Sequence, residues 1–204
     1  MTGRTAVQKR IHEAALKLFA VKGSTDVSVS ELADAAGVAR GTIYNNLESR
    51  NDLFHTVAAQ MAQEMDQRVV ASYAGTNDYA SRLAIGIRLY VRRSHEEQHW
   101  GRFLLHFGST TESLQEFWSG PPMQDLMMGL ERRRFEFRPE QARAALGIVA
   151  GATLSAIALV LQGLRTWRDA GSDAAELALR ALGVPVPEAR EIACRELPPL
   201  ADLA

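Results

Sequence analysis

The chain has 204 residues, enough for one sizeable domain or a small domain joined to a medium one. Hydrophobic residues make up 47% and charged residues 23%, a soluble globular composition, and the formal charge of -1 excludes a globally basic nucleic-acid binder, so any DNA-binding surface must be local. The one cysteine, Cys194, excludes an internal disulfide framework, and the polar, basic start has no apolar stretch behind it, which together point to a reducing, cytoplasmic setting.

Apolar residues recur at periods of three and four almost throughout, so the fold class is all-α. A first helix is predicted over 6–21, with Val7, Ile11, Ala14, Ala15, Leu18 and Phe19 as its apolar stripe and Gly23 at its stop. A second opens at Ser28, where SVSE reads as a capping box: the Ser28 hydroxyl accepts from a backbone N–H and Glu31 reaches back. It runs to Ala36, and Gly37 supplies the left-handed residue a tight turn requires. A third spans 39–47 with Ile43 and Leu47 inward, and a fourth spans 50–72 with Leu53, Phe54, Val57, Met61, Met65 and Val69 on its apolar side. After a break at 74–77, helices are predicted over 78–94, 97–107, 122–135, 139–169, 172–182 and 187–196. Arg92–Arg93 and Arg132–Arg134 read as solvated helix faces.

The uncharged run AALGIVAGATLSAIALVLQGL (144–164) is long enough to span a bilayer. It is rich in Ala and Gly, holds Thr153, Ser155 and Gln162, and repeats small residues at Gly147, Gly151 and Ser155. That pattern reads as a helix buried in a soluble core or a subunit interface rather than as a membrane span.

The most informative segment is SVSELADAAGVARGTIYNNLESR (28–50). Two short helices meet at a glycine-bearing turn, and the second sets a polar face of Arg40, Gly41, Thr42, Tyr44, Asn45 and Asn46 against Ile43 and Leu47. This is the layout of a helix-turn-helix, whose second helix lies in a major groove. Arg40 can bond a guanine edge through two donors, and Asn45 or Asn46 can read adenine or hold phosphate. The hydroxyls of Thr42 and Tyr44 suit phosphate oxygens, and Gly41 lets the backbone come close.

VSVSELADAAGVARGTIYNNLESRNDLFHTV, preceded by AALKLFAVKG, resembles the signature of the tetracycline-repressor (TetR) family of bacterial transcription regulators, densely from about Ile11 to Val57. The resemblance implies an all-α protein with a DNA-binding domain at 1–52 and a larger helical effector-binding and dimerisation domain at 53–204. Its DNA-facing set would be Ser28, Ser30, Arg40, Gly41, Thr42, Tyr44, Asn45, Asn46 and Arg50. Three positions depart from the common pattern: Ala39 removes a side-chain cap from the third helix, Leu47 stands where an aromatic is usual, and Arg50 replaces Lys. The implied partners are palindromic double-stranded operator DNA, a small-molecule effector and a second copy of the chain, with no membrane and no cofactor. The implied dimer interface holds Gly147, Gly151, Leu154, Ser155, Ala158 and Leu161. The implied effector pocket is drawn from Trp100, Phe103, Phe107, Trp118, Met123, Met127 and Met128, with His106 as polar anchor.

A rival reading starts from HEEQH (95–99), which matches the H-E-x-x-H pattern of zinc hydrolases. A catalytic zinc needs a third protein ligand. Glu112 and Glu116, the nearest carboxylates downstream, sit in no matching context, so the segment is expected to form a polar corner between two helices.

Overall fold

The computed structural model describes residues 6–46, 50–108, 118 and 120–202. All regular structure among them is helical. Helices α1 (Ala6–Lys22), α2 (Val29–Ala36) and α3 (Arg40–Asn46) form the N-terminal unit, and α4 (Arg50–Ser72) leads out of it. The larger unit holds α5 (Tyr79–Glu96), α6 (Gln98–Phe107), α7 (Pro121–Glu131), a 3-10 turn at Pro139–Gln141, α8 (Ala142–Leu161), α9 (Trp167–Ala181) and α10 (Val186–Cys194).

The capping box forms as the spacing predicts. Glu31 N donates to Ser28 Oγ at 3.2 Å, and Ser28 N donates to the Glu31 carboxylate at 2.9 Å. Lys22 Nζ stands 2.7 Å from the same carboxylate, tying the end of α1 to the start of α2. Lys22 and then Ser28 hold the Glu31 carboxyl down at about 2. At the other end Gly37 takes φ 64°, and Val38 N closes the turn on Ala33 O at 3.0 Å. Replacing Ser28 by Ala orphans a backbone donor, so a loss of about 0.5–2 kcal/mol is expected in urea unfolding.

The larger unit is organised around α5, which packs against α6, α7, α8, α9 and α10. Helix α9 meets it through the small residues Ala170, Gly171, Ala174, Ala175 and Ala178, all buried. A Cβ at Gly171 would stand 3.5 Å from the Arg88 Cα, so the two backbones approach closely.

Two predicted helices end early. The 139–169 run breaks after Leu161: Gly163 adopts φ 72°, Leu164 N bonds Leu159 O, and Thr166 caps α9 by accepting from Asp169 N. The 122–135 run stops at Glu131, and Arg133 takes φ 56°. The buried Phe135 ring folds back onto Gly129, where a Cβ would stand 2.2 Å from the ring. Only a glycine leaves room for that turn. The arginine runs also differ from a solvated face. Arg93 is 5% exposed and paired with Glu64 at 3.0 Å and Glu97 at 3.1 Å, and Arg134 bridges Asp78 at 2.6 Å and Glu188 at 2.8 Å.

Candidate DNA interface and ligand cavity

Helix α3 is anchored by Ile43, which is fully buried. Arg40, Gly41, Tyr44 and Asn45 lie on the opposite side and are exposed. Their spacing of one and four residues puts them on one face. Tyr44 is 69% exposed, a large aromatic left open where folding gains nothing from it. Thr42 and Asn46 flank that face half-buried, and Asn46 Nδ2 donates to Thr42 O at 2.7 Å, which ties its amide to its own helix. Ser28 and Ser30, at the start of α2, are half-buried. Leu47 and the Arg50 side chain lie outside the described residues.

The N-terminal unit is joined to the larger one by an aromatic cluster. Phe19 of α1 meets Phe54 of α4 edge-on at 5.5 Å, and Phe54 meets Phe103 and Phe107 of α6 at 5.7 and 4.8 Å. The His106 imidazole lies over Gly23 in the α1–α2 connection, where an added Cβ would stand 3.0 Å from the ring. His12 Nδ1 and Gln60 Oε1 join α1 to α4 at 2.7 Å. So Phe103, His106 and Phe107, expected in a ligand pocket, instead form the joint between the two units.

A small, partly open cavity lies elsewhere, between α4, α5, α7 and α8. Its volume is about 30 Å³, room for a water or two. Val69, Leu83, Ile87, Val149 and the Pro121–Pro122 pair supply apolar wall, and Trp118 forms part of the lining. Of the residues expected around a ligand, Trp118 alone belongs to this lining. It stacks on Tyr90 at 5.3 Å, and its indole N–H donates to Gly108 O at 3.2 Å. Trp100 is 1% exposed and lies behind Tyr90, with Arg93 over its ring at 4.6 Å. Met123 and Met127 are half-buried on α7 and outside the lining.

Two carboxylates face the cavity, and their surroundings differ. Asp125 has two partners: it accepts from Tyr73 Oη and from Arg82 Nη1, each at 3.4 Å. Burial still raises its pKa, with Arg82 offsetting part of the cost. Asp66 has no cation beside it among the described residues. Burial pushes its carboxyl up to about 7, and the neighbouring Tyr90 hydroxyl offsets part of that. Tyr90 itself is buried, and its hydroxyl reaches full hydrogen-bond geometry with no described residue. Asp66 was missed in sequence because it sits one position beyond the apolar stripe of α4, where a carboxylate ordinarily reads as solvated.

The small-residue stripe of α8 is open. Gly147, Gly151 and Ser155 are exposed, as is Ile148, and a Cβ at Gly147 or Gly151 would meet nothing within 4 Å. Ala158 is half-buried at its edge. Leu154 and Leu161 face the other way, toward Gly108 and Gly101 of their own chain. Pro139–Leu161 is long and apolar enough to cross a membrane by length and composition alone. HEEQH is split by the break between α5 and α6 at Glu97, so His95 and His99 do not share a helix. Glu96 pairs with Arg92 and Glu97 with Arg93, which leaves the zinc-hydrolase reading without its geometry.

Residues 11–57 match the sequence family described as bacterial regulatory proteins, tetR family. Residues 78–195, more than half of the chain, match the tetracyclin repressor-like C-terminal domain. The crystal structure of RolR in complex with resorcinol is similar over 96% of either chain, with a TM-score of 0.73 and 29% identity. The fatty acid degradation regulator FadR from Bacillus halodurans shares the fold, with a TM-score of 0.73 at 19% identity, over 87% of this chain and 97% of FadR. The transcriptional regulator AcrR of Shigella flexneri is 40% identical over 58 residues, 28% of this chain and 27% of AcrR. The curated relatives are matched over 27–41% of their own length.

Proposed function

Because the chain belongs to the tetR family of bacterial regulatory proteins, we propose that it is a cytoplasmic homodimeric repressor that binds a palindromic operator through α3 and lets go when a small molecule fills the cavity. The observation that carries this reading is the course of α4. One continuous helix contributes Phe54 to the joint beneath the DNA-binding unit and Asp66 and Val69 to the cavity. The DNA-binding unit, residues 1–52, and the effector unit, residues 53–204, therefore share one helix. A ligand that binds better to the arrangement with the recognition helices out of register pulls the equilibrium that way.

The open stripe of α8 at Gly147, Gly151 and Ser155, with exposed Leu177 on α9, supports pairing of two copies through these helices. RolR, at 29% identity, was crystallised with resorcinol, which supports a small-molecule effector here, and the cavity of this chain must widen to admit one.

Selection from random duplex DNA followed by fluorescence anisotropy tests the reading. A palindromic winner is expected, with affinity falling steeply as salt rises. Arg40→Ala is expected to cost about 1–3 kcal/mol and relax specificity, and Tyr44→Phe to weaken binding alike across sequences. Weak, sequence-blind binding by ligand-free protein would sink the proposal.

A further inference from the structure

Two arginines are buried among the described residues, Arg93 at 5% exposure and Arg88 at 9%. Their surroundings are opposite. Arg93 stands between two carboxylates, Glu64 at 3.0 Å and Glu97 at 3.1 Å. Arg88, in the middle of α5, has no carboxylate partner among the described residues. Its Nη1 donates to Arg195 O at 2.7 Å, the carbonyl that follows α10. A carbonyl at a helix C-terminus carries only part of a negative charge. Burial pulls the Arg88 guanidinium below the ordinary arginine range, and Cys194 alone offsets part of that. Taking a charge out of water without a counter-charge is costly, and proteins ordinarily supply one.

Arg88 lines an open groove of about 680 Å³ between α5, α9 and the chain leaving α10. The groove is basic. Arg92 and Arg195 in its lining are answered by Glu96 at 2.8 Å and Glu191 at 2.9 Å. Arg168 is exposed and lies over the Trp167 ring at 4.4 Å, with no carboxylate partner among the described residues. Of the acids in the lining, Glu196 alone has no cation beside it there. Two unanswered guanidiniums therefore meet one unanswered carboxylate, before any charge on His95. The packing of α9 on α5 builds this cleft. Gly171 brings the helices together, with its Cβ position 3.5 Å from Arg88 Cγ, and one turn along α5 Arg92 lies over Trp167 at 5.5 Å. At about 100° per residue, Arg168 and Ser172 stand on the far side of α9 from Leu177, the residue offered for pairing of two copies.

We propose that this groove binds a small organic oxyanion, a carboxylate or a phosphate ester, its charged head on Arg88 and Arg168 and its body along Trp167 and Leu197. The planar fork of a guanidinium matches both headgroups, and its charge-assisted bonds are strongest where water is excluded, as at Arg88. The groove shares no lining residue with the cavity beside α4, so the inference stands apart from the repressor reading.

Isothermal titration of the full-length protein with phenyl phosphate, benzoate and the neutral benzamide, at low salt, tests it. Phenyl phosphate or benzoate is expected to bind at one per chain and at least about ten-fold more tightly than benzamide, and the tighter of the two identifies the headgroup. Arg88→Met keeps the bulk without the charge and is expected to weaken that anion at least about ten-fold. Arg168→Ala, at an exposed position that folding does not need, is expected to weaken it about three-fold. Arg143→Ala, exposed on α8 and outside the lining, is expected to change nothing. Equal binding of benzamide overturns the proposal. So does anion affinity that survives both Arg88→Met and Arg168→Ala, or absence of binding by both anions at millimolar concentration.

Discussion

Asp66→Asn is expected to make the protein more stable above neutral pH and no more stable near pH 4. The folded state raises this carboxyl from an ordinary 3.8 to about 7, mainly by burial. A raised acid binds more protons folded than unfolded, so the wild-type chain loses stability as pH climbs from about 4 to about 7, and the penalty is fully present above that. The difference corresponds to on the order of 4 kcal/mol, and partial contact with solvent reduces this to roughly 2–3 kcal/mol. The amide carries no charge to desolvate and escapes the penalty. Urea unfolding of both chains at pH 5 and pH 8 measures it. A variant equal to or weaker than wild type at pH 8 would show that Asp66 is a structural carboxylate. The expected sign is that of a site held ready at the expense of stability, a common trade in binding proteins.

Phe103→Ala is expected to have the largest effect on the joint. The ring is fully buried and touches Phe19, Phe54 and Phe107 from three helices. Truncation removes its buried area and leaves a cavity, at a cost of about 3–5 kcal/mol. The loss should not be uniform. Hydrogen exchange is expected to quicken in α1 and at the Phe54 end of α4, where the cluster seats the DNA-binding unit, and to change little in α8 and α9. Equal loss of protection across the whole chain would mean that the two units unfold as one, and the cluster would be ordinary core.

What the sequence made legible follows from how local its causes are. The capping box at Ser28, the turn at Gly37 and the exposure of Tyr44 depend on residues within a few positions of each other, and each stands where the spacing placed it. The ligand cavity depends on four helices meeting, and no spacing within one helix announces that. Aromatic residues marked the pocket in sequence because pockets are rich in them. Here Phe103 and Phe107 were taken by a different demand, the seating of α1 and α4 on α6. The cavity kept Trp118 and drew its polar members from Asp66, Tyr90 and Asp125. The long 139–169 helix was misjudged for a related reason. Its apolar period runs on through the break, and a single Gly163 at φ 72° decides where the chain turns.

The length of α4 sets how little movement is needed for control. Its 23 residues span about 34 Å at 1.5 Å per residue. Treated as a rigid lever pivoting near the cavity, a tilt of about 5° displaces the far end by about 2 Å, several times the few tenths of an ångström that a hydrogen bond to a base edge tolerates. In a pair of such chains the two displacements act on one piece of DNA, so half-sites that fit before the tilt no longer fit together after it. A small ligand need not reshape the whole protein to be felt at the operator; it has only to wedge one end of a stiff rod by the width of a fraction of an atom.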